Sequence, residues 1–359
     1  MSGKRIETAA HPRCAPCRQK LIALIEGVDH VCYRYRLKAF LPELERHSIE
    51  VEPQPIVRGV LSRTRQLLRL RHADGTFVQR KLFSLPELLV LRAMTRRLIY
   101  DFDDAVFQRD SFAGKPPESY QRRGRFRATV KQADLVLGGN DYLCQQARRC
   151  APAAKIVRIP TCVDPRLYSE AEHRRVGAKV ELVWIGSRST MASLMELGDH
   201  LRKAAAMIGS LTLKVVCDTL PEIPGIEVRA CPWASETEAA ELASADIGIA
   251  WLPADLWSLG KCGLKVLQYM AAALPVVANP VGVHGEMVRP GETGFLAETP
   301  EQWAEAIARL ATDPACRRQM GTAARRKVQA EYSVNTWAPR LAGLITQTLQ
   351  PKPNASKQT

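Results

Sequence analysis

The chain predicts an α/β protein of two Rossmann-like, doubly wound domains facing a cleft, and three observations predict it. Its 359 residues exceed what one hydrophobic core usually serves, and 46% apolar with 25% charged residues is a globular composition. Short apolar runs alternate with stretches of helical spacing, the pattern of parallel strands covered by helices on both faces. A proline-flanked stretch, Pro160-Thr161-Cys162-Val163-Asp164-Pro165, interrupts that alternation, which then restarts. The expected division is a basic extension over 1–20, a first domain over 21–160, a second over 161–345 and a polar tail over 346–359.

In the first domain, residues 21–25 read as a buried strand ending at Glu26-Gly27. A helix follows over 31–46, with apolar Leu37, Phe40, Leu41 and Leu44 at helical spacing; Pro42 kinks or restarts it. Residues 49–52 form the next strand. Ser84 and Glu87 make a capping box that opens a helix to about residue 97. Residues 98–102 are a strand ending in Asp103-Asp104. A helix over 125–133 leads to a strand over 135–137, Asn140 caps the next helix, and 155–159 is a further strand.

In the second domain, strands are expected over 181–185, 213–217, 226–230, 246–252 and 275–278. Helices are expected over 191–207, from a capping box at Ser235 and Glu238 to 245, and over 264–272. Thr299 and Gln302, with Pro300 between them, form another box, and at least two amphipathic helices finish the chain.

The net charge is +14, and it is one-sided. Residues 1–165 hold 30 basic and 17 acidic residues, 30 − 17 = +13, leaving +1 for the remainder. Such a domain suits phospholipid, a lipid-phosphate acceptor or nucleic acid, or is simply a well-solvated basic surface. No nucleic-acid recognition motif or interleaved aromatic pattern accompanies the charge, so nucleic acid is not expected as a partner. The basic segments Arg63–Arg71 and Arg122–Arg127 recur here; Leu67, Leu68 and Leu70 among arginines suit either an anionic membrane surface or a buried stripe. The ten cysteines are scattered, as reduced thiols of a cytoplasmic protein would be. Cys14 and Cys17, near His11, have metal-like spacing but lack a second pair, so no metal is expected. No apolar run reaches about eighteen residues, and no signal peptide is expected.

Two segments of the second domain suit phosphate. Ile185-Gly186-Ser187-Arg188-Ser189-Thr190 carries a strand into a glycine, hydroxyls and an arginine at a helix start, where free N–H groups and charge attract anions. The alternative is a helix cap by Ser189 or Thr190 with an exposed arginine. Gly260-Lys261-Cys262-Gly263-Leu264-Lys265 puts two lysines, four apart, at a helix start where cations oppose the macrodipole unless an anion is bound. Neither is a Walker A loop, and G-x-G-x-x-G is absent from the first domain.

The segment Leu264-Lys-Val-Leu-Gln-Tyr-Met-Ala-Ala-Ala-Leu-Pro-Val-Val-Ala278 resembles the donor region of the retaining GT-B glycosyltransferases of family 4, as do Gly291-Glu-Thr-Gly294-Phe295-Leu296 and the turn after residue 185. The resemblance implies a transferase moving sugar from a nucleoside-diphosphate sugar to an acceptor, with retention, without metal and with no cofactor besides that substrate. It implies donor binding by Gly186, Ser187, Arg188, Thr190, Lys261, Gly263, Leu264, Lys265 and Gln268, with Arg188, Lys261 and Lys265 neutralising the leaving diphosphate. Two glutamates usual in the family fall here on Gly260 and Gln268. A non-catalytic sugar-nucleotide-binding protein of the same fold is the alternative. On the acceptor side, Gly27 and Arg34 are expected at the cleft. Asp103 and Asp104 are expected to handle substrate hydroxyls or protons, with at least one of Asp101, Asp103 and Asp104 raised in pKa by mutual repulsion.

Overall fold

A computed structural model describes residues 18–351. His11, Cys14 and Cys17 lie outside the described residues. The first sheet contains β1 (Gln19–Ile25), β2 (Ile49–Pro55), β3 (Gly75–Gln79), β4 (Leu98–Phe102), β5 (Leu135–Gly138) and β6 (Ile156–Arg158), in the order β2-β1-β3-β4-β5-β6. The second contains β7 (Glu181–Ile185), β8 (Thr212–Val216), β9 (Glu227–Cys231), β10 (Ile247–Ala250), β11 (Val276–Ala278) and β12 (Gly294–Leu296), in the order β12-β11-β10-β7-β8-β9. Every ladder is parallel. Helices cover both faces of each sheet, and each sheet separates two apolar clusters. This is the two-domain, doubly wound architecture the alternation predicts.

Local chemistry sets the elements. Ser84 and Glu87 form the expected box at the start of the helix Leu85–Met94, and Thr299 with Gln302 does so for Pro300–Thr312. Pro42 sits in the first turn of Leu41–Arg46, so the expected helix over 31–46 restarts there; Val31–Arg36 stands alone before it. The expected helix over 191–207 is likewise divided, into Met191–Met195 and Gly198–Ile208.

β3 was not foreseen: its residues are all buried, so no polar alternation marks it. Ser235 does not cap the helix Glu238–Ala243; its hydroxyl bonds Glu236, and Glu238 is turned into the cleft. The final helix, Val334–Leu349, was assigned to the second domain and tail. It instead packs Val334, Ala338, Leu341, Ala342 and Ile345 into the core of the first, and Arg97 donates to the Thr348 and Gln350 carbonyls. The chain therefore crosses between domains twice, near Pro160–Pro165 and again at Tyr332–Ser333, where Val163 and Val334 exchange backbone hydrogen bonds with the opposite crossing.

Candidate active site

Both sheets end at the cleft between the domains, where parallel α/β folds place ligands. A cavity of about 420 Å³ lies there, lined from the second domain by Gly186, Ser187, Thr190, Lys261, Gly263, Leu264, Lys265 and Gln268, and from the first by Arg34, Asp103 and Asp104. Nearly all the residues expected at the site are thus brought together. A second cavity of about 910 Å³ adjoins it, lined by Glu26, Asp29, Lys81, Gln108, Arg122 and Arg125 among others. Arg80, Asp104, Trp257 and Lys261 line both, so the cavities meet at that charged group.

Arg188 and Gly27 are not brought in. Arg188 is exposed and lines neither cavity, because Ser187 caps the following turn and the chain turns tightly over 188–190. Ser187, rather than Ser189 or Thr190, is that cap. Gly27 also lines neither; a side chain there would meet nothing within 4 Å, so no close approach requires glycine, although Glu26 and Asp29 beside it face the second cavity.

Lys265 is the outstanding cation. It lies in the first turn of the helix Leu264–Ala271, 4.3 Å over the ring of the buried Trp184, and makes no salt bridge among the described residues. Burial, then the neighbouring Lys261, lowers its pKa to about 7. Gly263 caps that helix with φ +65°, in the left-handed region open to glycine, and the first N–H groups of the helix, as at any helix start, have no intrahelical partners. Lys261 behaves differently: it pairs with Asp104 at 2.9 Å and sits 3.3 Å over the Trp257 ring. The two lysines are therefore not an equivalent phosphate pair.

The carboxylates at the end of β4 do not simply repel one another; each has a cation. Asp101 is buried with Arg36, and burial still raises its pKa despite the guanidinium. Asp103 shifts the other way: burial opposes its charge, but Arg80 and Arg36 outweigh it and hold the carboxyl below its ordinary range. Asp104 lies 3.3 Å from Arg80 as well as bonding Lys261. Neither Asp103 nor Asp104 caps a helix, the next one beginning at Tyr120. Arg80 itself was missed. It occupies the left-handed region at φ 59°, costly for a non-glycine residue, just beyond the overlooked β3. Recognising that strand would have flagged Arg80 as a strand-end residue at the cleft.

A second missed group crosses the cleft. Tyr35 of the first domain packs within an apolar cluster of the second, donating to Glu238 at 2.9 Å while Gln268 donates to its oxygen at 3.1 Å. Glu238 also accepts from Trp233 at 2.8 Å and Arg34 at 3.3 Å. Gln268 thus stands at the expected cavity, with its amide committed to Tyr35. Opposite, Gly260 lies against the first domain: a Cβ there would meet the Ala105 nitrogen and Cβ at 2.7 Å. No glutamate side chain fits in this arrangement. Among the described residues, no group of three or more His, Cys, Asp or Glu could hold a metal ion, and no helix is long and apolar enough to cross a membrane.

The residues lining the second-domain wall fall within a recognised segment. A family model described as glycosyl transferases group 1 matches residues 170–313. The chain is 32% identical over 95 residues to an alpha-1,3/1,6-mannosyltransferase ALG2 of Rhizomucor pusillus, covering 26% of this chain and 21% of that protein. It is 40% identical over 79 residues to a D-inositol 3-phosphate glycosyltransferase of Corynebacterium diphtheriae, covering 21% and 17%. The matching stretches thus span about a fifth of these curated relatives. Among solved structures, sucrose-phosphate synthase from Thermosynechococcus elongatus superposes with a TM-score of 0.69 at 17% identity, covering 92% of this chain and 99% of that one. Anabaena Alr3699/HepE in complex with UDP and glucose gives 0.63 at 15% identity, covering 92% and 100%. At those identities the likeness is one of fold. The two-domain fold is shared with these solved structures, and residues 170–313 match the segment described as glycosyl transferases group 1.

Proposed function

We propose that the protein transfers a glycosyl group from a nucleoside-diphosphate sugar to an acceptor hydroxyl, with retention of configuration and without bound metal or cofactor, as the resemblance to family 4 implies. The observation that carries this reading is Lys265: a cation without a carboxylate partner, beside free helix N–H groups, inside the segment matched by the glycosyltransferase model. A diphosphate supplies the anion this position lacks. As the C1–O bond to the diphosphate breaks, negative charge grows on the departing oxygen, and Lys265 with the N–H groups of Leu264 and Lys265 stabilises it. The acceptor enters from the second cavity. Its hydroxyl forms the new bond to C1 and gives its proton to the departing phosphate, with Asp104 orienting it where the cavities meet. Gly186, Ser187 and Thr190 border the donor, Arg34 and Gln268 its nucleoside end, and Asp103 holds Arg80 in place. The acceptor is a carbohydrate or a lipid-linked molecule.

Gly260 favours a second reading, a sugar-nucleotide-binding protein without transfer, since the acid usual at that position is absent and sterically excluded. Transfer assays separate the two. UDP-, GDP- and ADP-sugars are incubated with a panel of soluble and lipid-linked acceptors, and the product anomer is read by NMR. A product with the donor's anomeric configuration supports the enzyme. An inverted product removes the retaining mechanism, and nucleotide binding without transfer to any acceptor supports the second reading.

A further inference from the structure

The helix Val60–Leu68 and the helix Leu85–Met94 pack side by side on the first domain, tied by Arg63 to Glu87 at 2.7 Å. Leu67 and Leu70 are fully buried, as the buried-stripe alternative expects, whereas Leu68 is exposed. The face turned outward carries other aliphatics: Val60 is 69% exposed, Leu61 79%, Leu68 46%, Leu85 58% and Leu89 64%. Positions 60, 61 and 68 fall within one third of the helix circumference, and 85 and 89 are one turn apart, so each helix contributes a stripe. Large aliphatics clustered this way on two touching helices differ from apolar residues scattered singly over a surface.

Their surroundings are basic. Arg58, Arg65, Arg69 and Arg71 are exposed, and none has a carboxylate partner among the described residues. The acidic residue between the helices, Glu87, is consumed by Arg63 and Ser84. Aliphatic side chains rimmed by unpaired arginines match an anionic lipid surface: acyl chains for the leucines, lipid phosphates for the guanidiniums. A protein partner with a neutral apolar groove would leave the arginines unmatched.

We propose that this two-helix face docks the protein on an anionic membrane surface, with Val60, Leu61, Leu68, Leu85 and Leu89 entering the lipid interface. The inference does not depend on the transfer reaction. Flotation with phosphatidylcholine vesicles, with and without phosphatidylglycerol, tests it. The full chain is expected to float only with the anionic vesicles, and less as salt rises. Leu61→Asp with Leu89→Asp should lower vesicle affinity more than tenfold, from the loss of two buried aliphatic side chains. Arg65→Gln and Arg69→Gln should each lower it about fivefold, the share of one cation at an anionic surface. Circular dichroism and urea unfolding check that the variants fold. Absence of wild-type flotation, or flotation of the Leu61→Asp/Leu89→Asp variant like the wild type, overturns the proposal. So does a wild-type dimer in sedimentation equilibrium that this variant dissolves, since the face would then hold a second copy.

Discussion

Lys265 and Gly260 show how much one side chain settles at this site. Without a diphosphate, Lys265 has a pKa of about 7, because burial and Lys261 disfavour its charge. A bound diphosphate favours the charged form and moves the pKa back toward the ordinary lysine range. Binding at pH 8 therefore takes up a proton, and affinity weakens as pH rises above about 7. Calorimetry in buffers of different ionisation enthalpy should show that uptake for wild type and not for Lys265→Ala. Equal uptake in both would remove Lys265 from the site. His284, also lowered by burial, to about 4, stays neutral through this range and does not contribute. Restoring the usual acid with Gly260→Glu should not improve transfer. It should cost about 1–3 kcal/mol of stability in urea unfolding, as overpacking against Ala105 does. The sequence displayed both residues, but not their surroundings: Trp184 under Lys265 and Ala105 against Gly260 come from distant segments.

At the level of elements, legibility followed periodicity. The strands at 98–102 and 181–185 and the capping boxes at 84–87 and 299–302 are local signals, and the structure has them at those positions. β3 and the last helix depend on packing partners far along the chain, so local pattern did not place them. The same holds for electrostatics. Three nearby aspartates predict repulsion, whereas Arg36 and Arg80 arrive from other elements and split the outcome, Asp101 raised and Asp103 lowered. Arg36 is the tie between the helix Val31–Arg36 and β4: it bonds Asp101 twice and the Ile159 carbonyl, with the pair's side chains each 1% exposed. Arg36→Ala strands a buried carboxylate and should cost about 3–5 kcal/mol in urea unfolding. A loss below about 1 kcal/mol, the worth of an exposed pair, would contradict that account.

Over the whole molecule, the two domains exchange side chains. Tyr35 enters a core cluster of the second domain, while Trp257 and Cys262 enter one of the first, and Asn140 donates to the Leu259 and Lys261 carbonyls. Tyr35, Trp257 and Cys262 also line the first cavity. Tyr35→Phe removes the hydroxyl that joins Glu238, Tyr168 and Gln268. Hydrogen exchange should then quicken in the helices Val31–Arg36 and Glu238–Ala243 while the sheets keep their protection. Unchanged exchange in both helices would mean that the hydroxyl does not hold the domains. The architecture was legible because alternation repeats along the chain; these crossings were not, because neither a tyrosine on a short helix nor a tryptophan in a loop carries a sign of which domain it will enter.

In the proposed function a nucleoside diphosphate occupies the first cavity with its phosphates at Lys265. Calorimetry with UDP, GDP and ADP on wild type and Lys265→Ala tests it most directly. At least one nucleotide should bind the wild type, and the substitution should weaken it roughly tenfold to a hundredfold, the loss of one charged hydrogen bond of about 1.5–3 kcal/mol. Failure of the wild type to bind any of the three, or equal binding by Lys265→Ala, would contradict it.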